Sequence, residues 1–138
     1  MMKSLIKKSD VMQVAVQVTQ HRVVMREYLN DKGKLFGGNA LKWMDEVAYI
    51  TASKYTRQKM VTVFVDKIRF LEPITEGSML QITGKVISAG NVKSVVKVEL
   101  WIDGESSSAG IKAVEGLFTF VAVDDSGKPV RRISGDEN

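Results

Sequence analysis

The stretch that decides the fold runs from Asn30 to Ala48 and reads NDKGKLFGGNALKWMDEVA. It opens with Asn, Asp and Gly, which tolerate bent or left-handed backbone and are typical of a loop. From Leu41 to Tyr55 apolar residues follow every three to four positions, a period that predicts a helix of about four turns. We expect this helix to begin at Gly37-Gly38 and to end near residues 55–58.

One carboxylate lies at the margin of the apolar face of this helix. Lys42 and Glu46 fall on the polar face, and Asp45 falls between the two faces. The start of a helix presents free backbone N–H groups and a partial positive charge, which can hold a carbonyl oxygen as it becomes an oxyanion. Glycines leave room for a ligand there, and Asp45 lies roughly 10 Å along the axis from Gly38. The stretch suits chemistry on a carbonyl group, although an isolated helical Asp is more often a partly solvated residue.

Composition excludes several kinds of site. The chain has 138 residues, of which 44% are hydrophobic and 26% charged, and this fits one globular domain with a sizeable core. It has no cysteine and one histidine, His21, so disulfides, thiol nucleophiles, thiolate zinc sites and multi-histidine metal clusters are excluded. We therefore expect no metal. His21 itself is interpreted as a strand residue that faces solvent or a neighbour.

Charge and hydropathy give expectations about partners and compartment. The net charge is +4, but the 20 basic residues are spread among 16 acidic ones, so we expect no nucleic-acid-binding face. A mildly basic surface suits a phosphorylated ligand. No apolar run approaches the ~20 residues of a membrane span, and the first residues lack the apolar core of a signal peptide. We predict no membrane span and a cytoplasmic location.

One strand is predicted before the helix. It lies within residues 12–28, where valines alternate with other residues until His21 and Arg22 interrupt the pattern. After the helix, residues 60–70 are rich in β-branched and aromatic side chains. This composition predicts a largely buried strand that ends before Pro73.

Three more strands follow, joined by short connections. They are predicted at residues 80–87, with a bend or bulge at Gly84, and at residues 94–102 and 113–123. Short connections predict that these four strands lie as antiparallel neighbours, and the one helix must cover a face of the sheet. The sequence therefore predicts an α+β fold in which one long helix is wrapped by a curved antiparallel sheet of about five strands.

The predicted organisation is one domain with two short extensions. Residues 11–130 form the domain, residues 1–10 a flexible lead-in and residues 131–138 a tail. An open sheet edge on so small a unit favours pairing with a second copy.

Short motifs follow one another in a specific order between about residues 14 and 131. They are Asn30 with Gly33, Leu35-Phe36-Gly37-Gly38, Trp43-Met44-Asp45, Val61-Thr62-Val63, Phe70-Leu71-Glu72-Pro73-Ile74, Glu76-Gly77, Gly90–Ser94 and Lys128-Pro129. In this order and spacing the chain resembles the hotdog-fold acyl-CoA thioesterases. It is similar in particular to the bacterial acyl-CoA hydrolases of the YciA type.

The resemblance implies an activity and a set of catalytic residues. The activity is hydrolysis of the thioester of acyl-CoA to a free carboxylic acid and CoA. Asp45 is implied as the catalytic carboxylate, either as a general base or as a nucleophile. Asn30 would orient the water or the carbonyl, and the backbone N–H of Gly38, together with that of Gly37, would hold the carbonyl oxygen.

The resemblance also implies how substrate binds and how the chain assembles. The residues assigned to substrate and CoA are Thr62, Val63, Gly90, Asn91, Lys93, Ser94 and Arg131. CoA is part of the substrate, and no other cofactor is implied. The active sites are expected at dimer interfaces, between the helix start of one subunit and the loop of the other. The expected assembly is a hexamer built as a trimer of dimers, with a tetramer as the alternative.

The sequence does not determine which acyl chain is preferred, and two other functions are alternatives to hydrolysis. Trp43, Tyr49 and Met60 are candidates for the residues that set the depth of the acyl pocket, while Trp43 and Trp101 are otherwise interpreted as packing. A hotdog dehydratase is disfavoured because such enzymes pair a carboxylate with a histidine in a short motif, and His21 stands in no such motif. A non-catalytic module that binds and senses acyl-CoA is the second alternative.

Overall fold

The computed structural model describes residues 16–104 and 109–131. Its elements are β1 Gln17–Val23, a 3₁₀ turn Arg26–Tyr28, α1 Gly37–Thr56, β2 Met60–Phe70, β3 Met79–Ala89, β4 Lys93–Ile102 and β5 Ile111–Ala122. The predicted order of one strand, one long helix and four strands is confirmed. The predicted lead-in, residues 1–10, and residues 132–138 of the predicted tail lie outside the described residues.

Helix α1 begins and ends where its sequence predicts. Its apolar stripe is buried against the sheet, with Met44, Val47, Ala48 and Ala52 fully inaccessible. The helix ends at Thr56, and the next residue, Arg57, caps it: its backbone is left-handed (φ 59°) and its N–H donates to the carbonyl of Ser53 at 2.8 Å. Across the described ranges, no helix combines the length and apolarity that crossing a membrane requires.

The five strands form one antiparallel sheet in the order β1-β3-β4-β5-β2. The predicted pairing of β3 with β4 and of β4 with β5 is confirmed, but the predicted pairing of β2 with β3 is wrong. The reason is the link between them, residues 71–78, which does not turn back on itself. Ile74 in this link is buried and accepts a hydrogen bond from the N–H of Leu35, and Gly77 donates to Val24. The link is thereby tied to the loop before α1 and to the end of β1, and β2 pairs with β5 instead.

Two predictions about the outer strands are also wrong. His21 and Arg22 do not interrupt the first strand; they pair with Gln81 and Leu80 of β3, and residues 12–15 of the predicted strand lie outside the described residues. Strand β2 is not largely buried, because it is an edge strand with β5 as its one neighbour. Its apolar residues are therefore open to solvent, and the side chains of Phe64 and Phe70 are each 57% exposed.

Gly84 allows the helix to approach the sheet rather than forming a bulge. A Cβ at this position would overlap Oγ1 of Thr51 and would lie 3.1 Å from Cγ1 of Val47, both on α1. The predicted bulge at Gly84 is wrong, because the register shift in β3 lies between Val86 and Ser88. Thr51 cannot swing away freely, since its hydroxyl donates to the carbonyl of Val47 at 2.7 Å.

The outer face of the sheet carries a network of paired charges. Lys112 lies 2.8 Å from Glu115 and 3.3 Å from Glu99. The hydrogen bond between Lys112 and Glu115 raises the pKa of the lysine and lowers the pKa of Glu115. Burial raises the pKa of Glu99, but hydrogen bonds from Trp101 and Lys112 and the charges of nearby lysines outweigh it and hold that pKa below its usual value. The inner face is apolar and covered by α1, so the two faces of the sheet differ sharply.

We expect Gly84→Ala to lower the free energy of unfolding by about 1–3 kcal/mol, because the added methyl group overpacks the contact with α1. Gly116→Ala is the matched control, since the one atom that its Cβ would overlap is the terminal Cδ1 of Ile68, the end of a flexible side chain, and its other neighbours lie at 3.5 Å. Urea unfolding of both variants measures the difference. Equal losses in the two variants would contradict the account of Gly84.

Candidate active site

Asp45 is held by a hydrogen bond from the neighbouring edge strand. It is half-buried on α1, and its Oδ1 accepts from the hydroxyl of Thr62 on β2 at 2.8 Å. This bond fixes the side chain and uses one lone pair of Oδ1, so Oδ2 is the more accessible acceptor for a ligand. Side chains on a helix lean toward its N-terminus, and the Asp45 carboxylate therefore leans toward the start of α1.

Asp45 lines a groove to which both edges of the sheet contribute. The groove has a volume of about 400 Å³ and is lined by Gln20, Asp45, Glu46, Tyr49, Ile50 and Thr62. Gln20 lies on β1 and Thr62 on β2, at opposite edges of the sheet. The sheet therefore curves far enough around α1 to bring both edges to one face of the helix. Tyr49 and Ile50 follow Asp45 and Glu46 by four residues, a spacing that could have indicated that they lie on the same face of the helix. No local signal in the sequence indicates that Gln20 belongs to the groove.

The start of α1 has two backbone N–H groups without acceptors. Phe36 is the N-cap residue and has no side-chain acceptor, and its carbonyl receives the N–H groups of Asn39 and Ala40. The N–H groups of Gly37 and Gly38 donate to no acceptor in the described part of the chain. A Cβ at Gly38 would meet nothing within 4 Å, so this glycine faces open space. Free N–H groups at a helix start form a site for a negatively charged or polarised oxygen.

A second groove adjoins the helix start. Its volume is about 360 Å³, and it is lined by Leu35, Gly37, Ala40, Phe70, Leu71, Glu72, Pro73, Ile74 and Val114. Apart from the carboxylate of Glu72, the lining side chains are apolar. The ring of Phe70 forms one wall and lies close over Gly37, since a Cβ there would be 3.2 Å from the ring. This groove has no residue in common with the groove at Asp45.

Asn30 shapes its own loop through its amide oxygen. Oδ1 accepts from the backbone N–H groups of Lys32 at 2.9 Å and Lys34 at 3.0 Å, and only an oxygen can accept both. The amide nitrogen is therefore the group that a ligand can use. Asn30 lines neither groove, so one subunit does not unite it with Asp45 in either.

The residues assigned to CoA differ in exposure. Gly90 and Asn91 lie in the turn between β3 and β4, and Lys93 is exposed at the start of β4. Ser94 is 1% exposed and faces the interior, because successive residues of a strand point to opposite faces. Its contact with CoA stays a prediction. Val63 and Arg131 are exposed, and Thr62 is the partner of Asp45.

Of the three residues predicted to set the depth of the acyl pocket, one lines a groove and two do not. The side chains of Trp43 and Met60 are 2% and 4% exposed and line neither groove, whereas Tyr49 lines the groove at Asp45. Trp43 packs edge-on against Tyr28 at 5.1 Å, as its interpretation as a packing residue predicts. Within residues 16–104 and 109–131, no group of three or more His, Asp or Glu side chains could hold a metal ion.

Comparisons with known proteins identify the family of the chain. The family model of the thioesterase superfamily matches residues 32–109. The chain is 32% identical to the acyl-CoA thioester hydrolase YciA of Escherichia coli over 103 residues, which are 72% of this chain and 78% of that protein. It is also similar to an acyl-CoA hydrolase of Staphylococcus aureus solved with butyryl coenzyme A, coenzyme A and coenzyme A disulfide. That likeness has a TM-score of 0.82 and 33% identity over 87% of this chain and 73% of that one.

Further solved structures concern assembly and single side chains. A hexameric thioesterase of Yersinia pestis is similar with a TM-score of 0.77 and 33% identity, over 84% of this chain and 94% of that one. The Staphylococcus aureus enzyme has also been solved with alanine in place of one threonine, one aspartate or one asparagine.

We expect Asn30→Ala to lower the free energy of unfolding by about 1 kcal/mol, because two backbone N–H groups lose their acceptor. Asn30→Asp keeps an oxygen at the same position and should stay closer to the wild-type stability. Thermal and urea unfolding of the two variants test this. An Asn30→Asp variant less stable than Asn30→Ala would contradict the assignment of the amide oxygen.

Proposed function

Because the chain belongs to the thioesterase superfamily, among the YciA-type acyl-CoA thioester hydrolases, we propose that it hydrolyses the thioester bond of acyl-CoA. The products are a carboxylic acid and free CoA. The observation that carries the proposal is the pairing of two features on α1: the carboxylate of Asp45, fixed by Thr62, and the unpaired N–H of Gly38 in open space. The same three residue types that were replaced in the Staphylococcus aureus enzyme occur here as Thr62, Asp45 and Asn30.

In the proposed mechanism Asp45 acts as a general base. Its Oδ2 takes a proton from a water molecule as the water oxygen attacks the carbonyl carbon. The carbonyl oxygen becomes negatively charged and is held by the N–H of Gly38 at the positive end of the helix. The carbonyl then re-forms as the C–S bond breaks, and Asp45 returns the proton to the sulfur of CoA. Direct attack by Asp45, giving a mixed anhydride that water hydrolyses, is the alternative route.

The roles of Asn30 and of the CoA-binding residues are parts of the same proposal. The amide nitrogen of Asn30 would donate to the attacking water or the carbonyl. Lys93 and Arg131 supply positive charge for the phosphates of CoA, and Gly90 and Asn91 supply backbone and amide groups. Val63, on the exposed edge strand, would contact the substrate from the sheet side.

We also propose a homo-oligomer in which the site is completed between subunits. Strand β2 leaves its edge unpaired and its apolar side chains exposed, and such an edge favours pairing with a second copy. Pairing would bring the Asn30 loop of one subunit near Asp45 of the other. A hexamer, as in the Yersinia pestis relative, fits a trimer of such dimers, and a tetramer is the alternative. The cytoplasmic location stays a prediction.

Asp45→Asn should lower the release of free thiol from acyl-CoA by about 10²- to 10⁴-fold, because the general base is lost while the shape is kept. Thiol release from a panel of acyl-CoAs, short to long, measures this. Calorimetry with CoA should find binding intact. Asp125→Asn, an exposed aspartate in the turn after β5, is the matched control and should keep full activity.

Two outcomes would overturn the proposal in different ways. Full turnover by Asp45→Asn would contradict the mechanism. Binding of CoA by the wild type without thiol release from any member of the panel would favour a module that senses acyl-CoA.

A further inference from the structure

We propose that the groove beside Phe70 receives the acyl chain of the substrate, that it selects uncharged aliphatic chains, and that the ring of Phe70 limits their length. The inference rests on the proposed function, because it places the acyl group relative to a thioester carbonyl at the start of α1. It assigns the groove beside Phe70 to the acyl side of the thioester and the groove at Asp45 to the CoA side.

The two grooves differ in the chemistry of their walls. The groove at Asp45 carries the polar groups of Gln20, Glu46, Tyr49 and Thr62 beside the apolar Ile50. The groove at the helix start is apolar except for Glu72. An acyl chain has no group that can form hydrogen bonds, and it gains most where water is removed from apolar surface. The pantetheine arm of CoA carries two amides and gains more from the polar groove.

The position of the apolar groove fits a chain that is attached to the carbonyl. Gly37 belongs both to this groove and to the pair of residues with unpaired N–H groups. A carbonyl held by the neighbouring Gly38 therefore places its carbon at the mouth of the groove. The acyl chain can then enter directly, between the helix start and the link that contains Pro73 and Ile74.

Phe70 is the wall that can set the chain length. Its ring lies against the backbone of Gly37, where no side chain intervenes, and it is the last residue of β2. The opposite wall is fixed, because Ile74 is buried and accepts a hydrogen bond from Leu35, and Val114 is buried in β5. The ring is thus the wall that a substitution can remove with the least effect on the core.

Glu72 should make the groove disfavour acyl groups that carry a negative charge. It is exposed at the groove, and within the groove its carboxylate is the one ionisable group. A carboxylate there repels acyl groups that end in a second carboxylate, although solvent screens the effect. Neutral aliphatic acyl-CoAs are therefore the expected class.

The test compares Phe70→Ala with Ile111→Ala over a series of saturated acyl-CoAs. Ile111 is the control because it is an exposed apolar residue (53%), lines neither groove, and lies on β5 rather than on the open edge strand β2. Phe70→Ala should change the ratio of kcat/KM between long and short chains by at least about tenfold in favour of long chains. Ile111→Ala should leave that ratio as in the wild type. If Phe70→Ala does not fold, Phe70→Leu, which keeps a smaller apolar side chain, replaces it in the test.

Calorimetry with CoA, which lacks an acyl group, separates the inference from other roles of the ring. CoA should bind Phe70→Ala and the wild type equally. Parallel chain-length profiles in Phe70→Ala and the wild type, or weaker binding of CoA to the variant, would overturn the assignment. The proposed function would survive either result, since it is tested separately by thiol release from the wild type and from Asp45→Asn.

Glu72→Gln gives an independent readout of charge. It should raise kcat/KM for succinyl-CoA relative to butyryl-CoA, a chain of equal length, by up to about fivefold. The increase should shrink in high salt, because the carboxylate acts through solvent. An unchanged ratio would remove the charge preference from the assignment.

Discussion

Helix α1 lies against the sheet with no room for a side chain at Gly84, and the positions of the candidate site residues depend on this contact. Thr51 and Val47 fill the space that a Cβ would take. The close approach lets the sheet curve around the helix until β1 and β2, its two edges, reach the same helical face. Gln20 and Thr62 thereby come to one groove with Asp45, although they lie at opposite ends of the strand order.

The same curvature leaves β2 as an open edge beside the site. An edge strand with exposed Val63, Phe64 and Phe70 is costly for an isolated subunit, since such edges pair with other chains. Asn30 lines neither groove of its own subunit. Both features have one explanation in the proposed assembly, where pairing covers the edge and brings the asparagine of one subunit to the aspartate of the other.

The helix and its chemistry could be predicted from sequence because their signals are local. The period of the apolar residues gives the bounds of α1, and Asp45 lies at the margin of its buried face as the period indicates. The family was also predicted correctly from the order of its short motifs. The alternation of residues in β4 could have indicated that Ser94 faces the interior, because Val96, Val98 and Leu100 are the buried members of the same series.

The predictions that failed depend on contacts between distant parts of the chain. Apolar residues in β2 look the same in sequence whether a strand is central or at an edge, so its exposure could not be inferred. The link at residues 71–78 has the length of a short connection. The hydrogen bonds from Leu35 to Ile74 and from Gly77 to Val24, residues distant in sequence, show that it crosses instead of turning. Gly84 is typical of a bulge until Thr51 is placed opposite it.

Complementation between inactive subunits tests the central claim, a thioesterase site shared across the dimer, most directly. Asp45→Ala and Asn30→Asp would each be inactive alone, and the two are co-expressed in equal amounts so that subunits pair at random. If Asp45 and Asn30 act from different subunits, one site in four has both, and thiol release should recover to roughly a quarter of the wild-type rate. If both residues act from one subunit, no intact site can form. Recovery near zero from well-folded mixed oligomers would contradict the account.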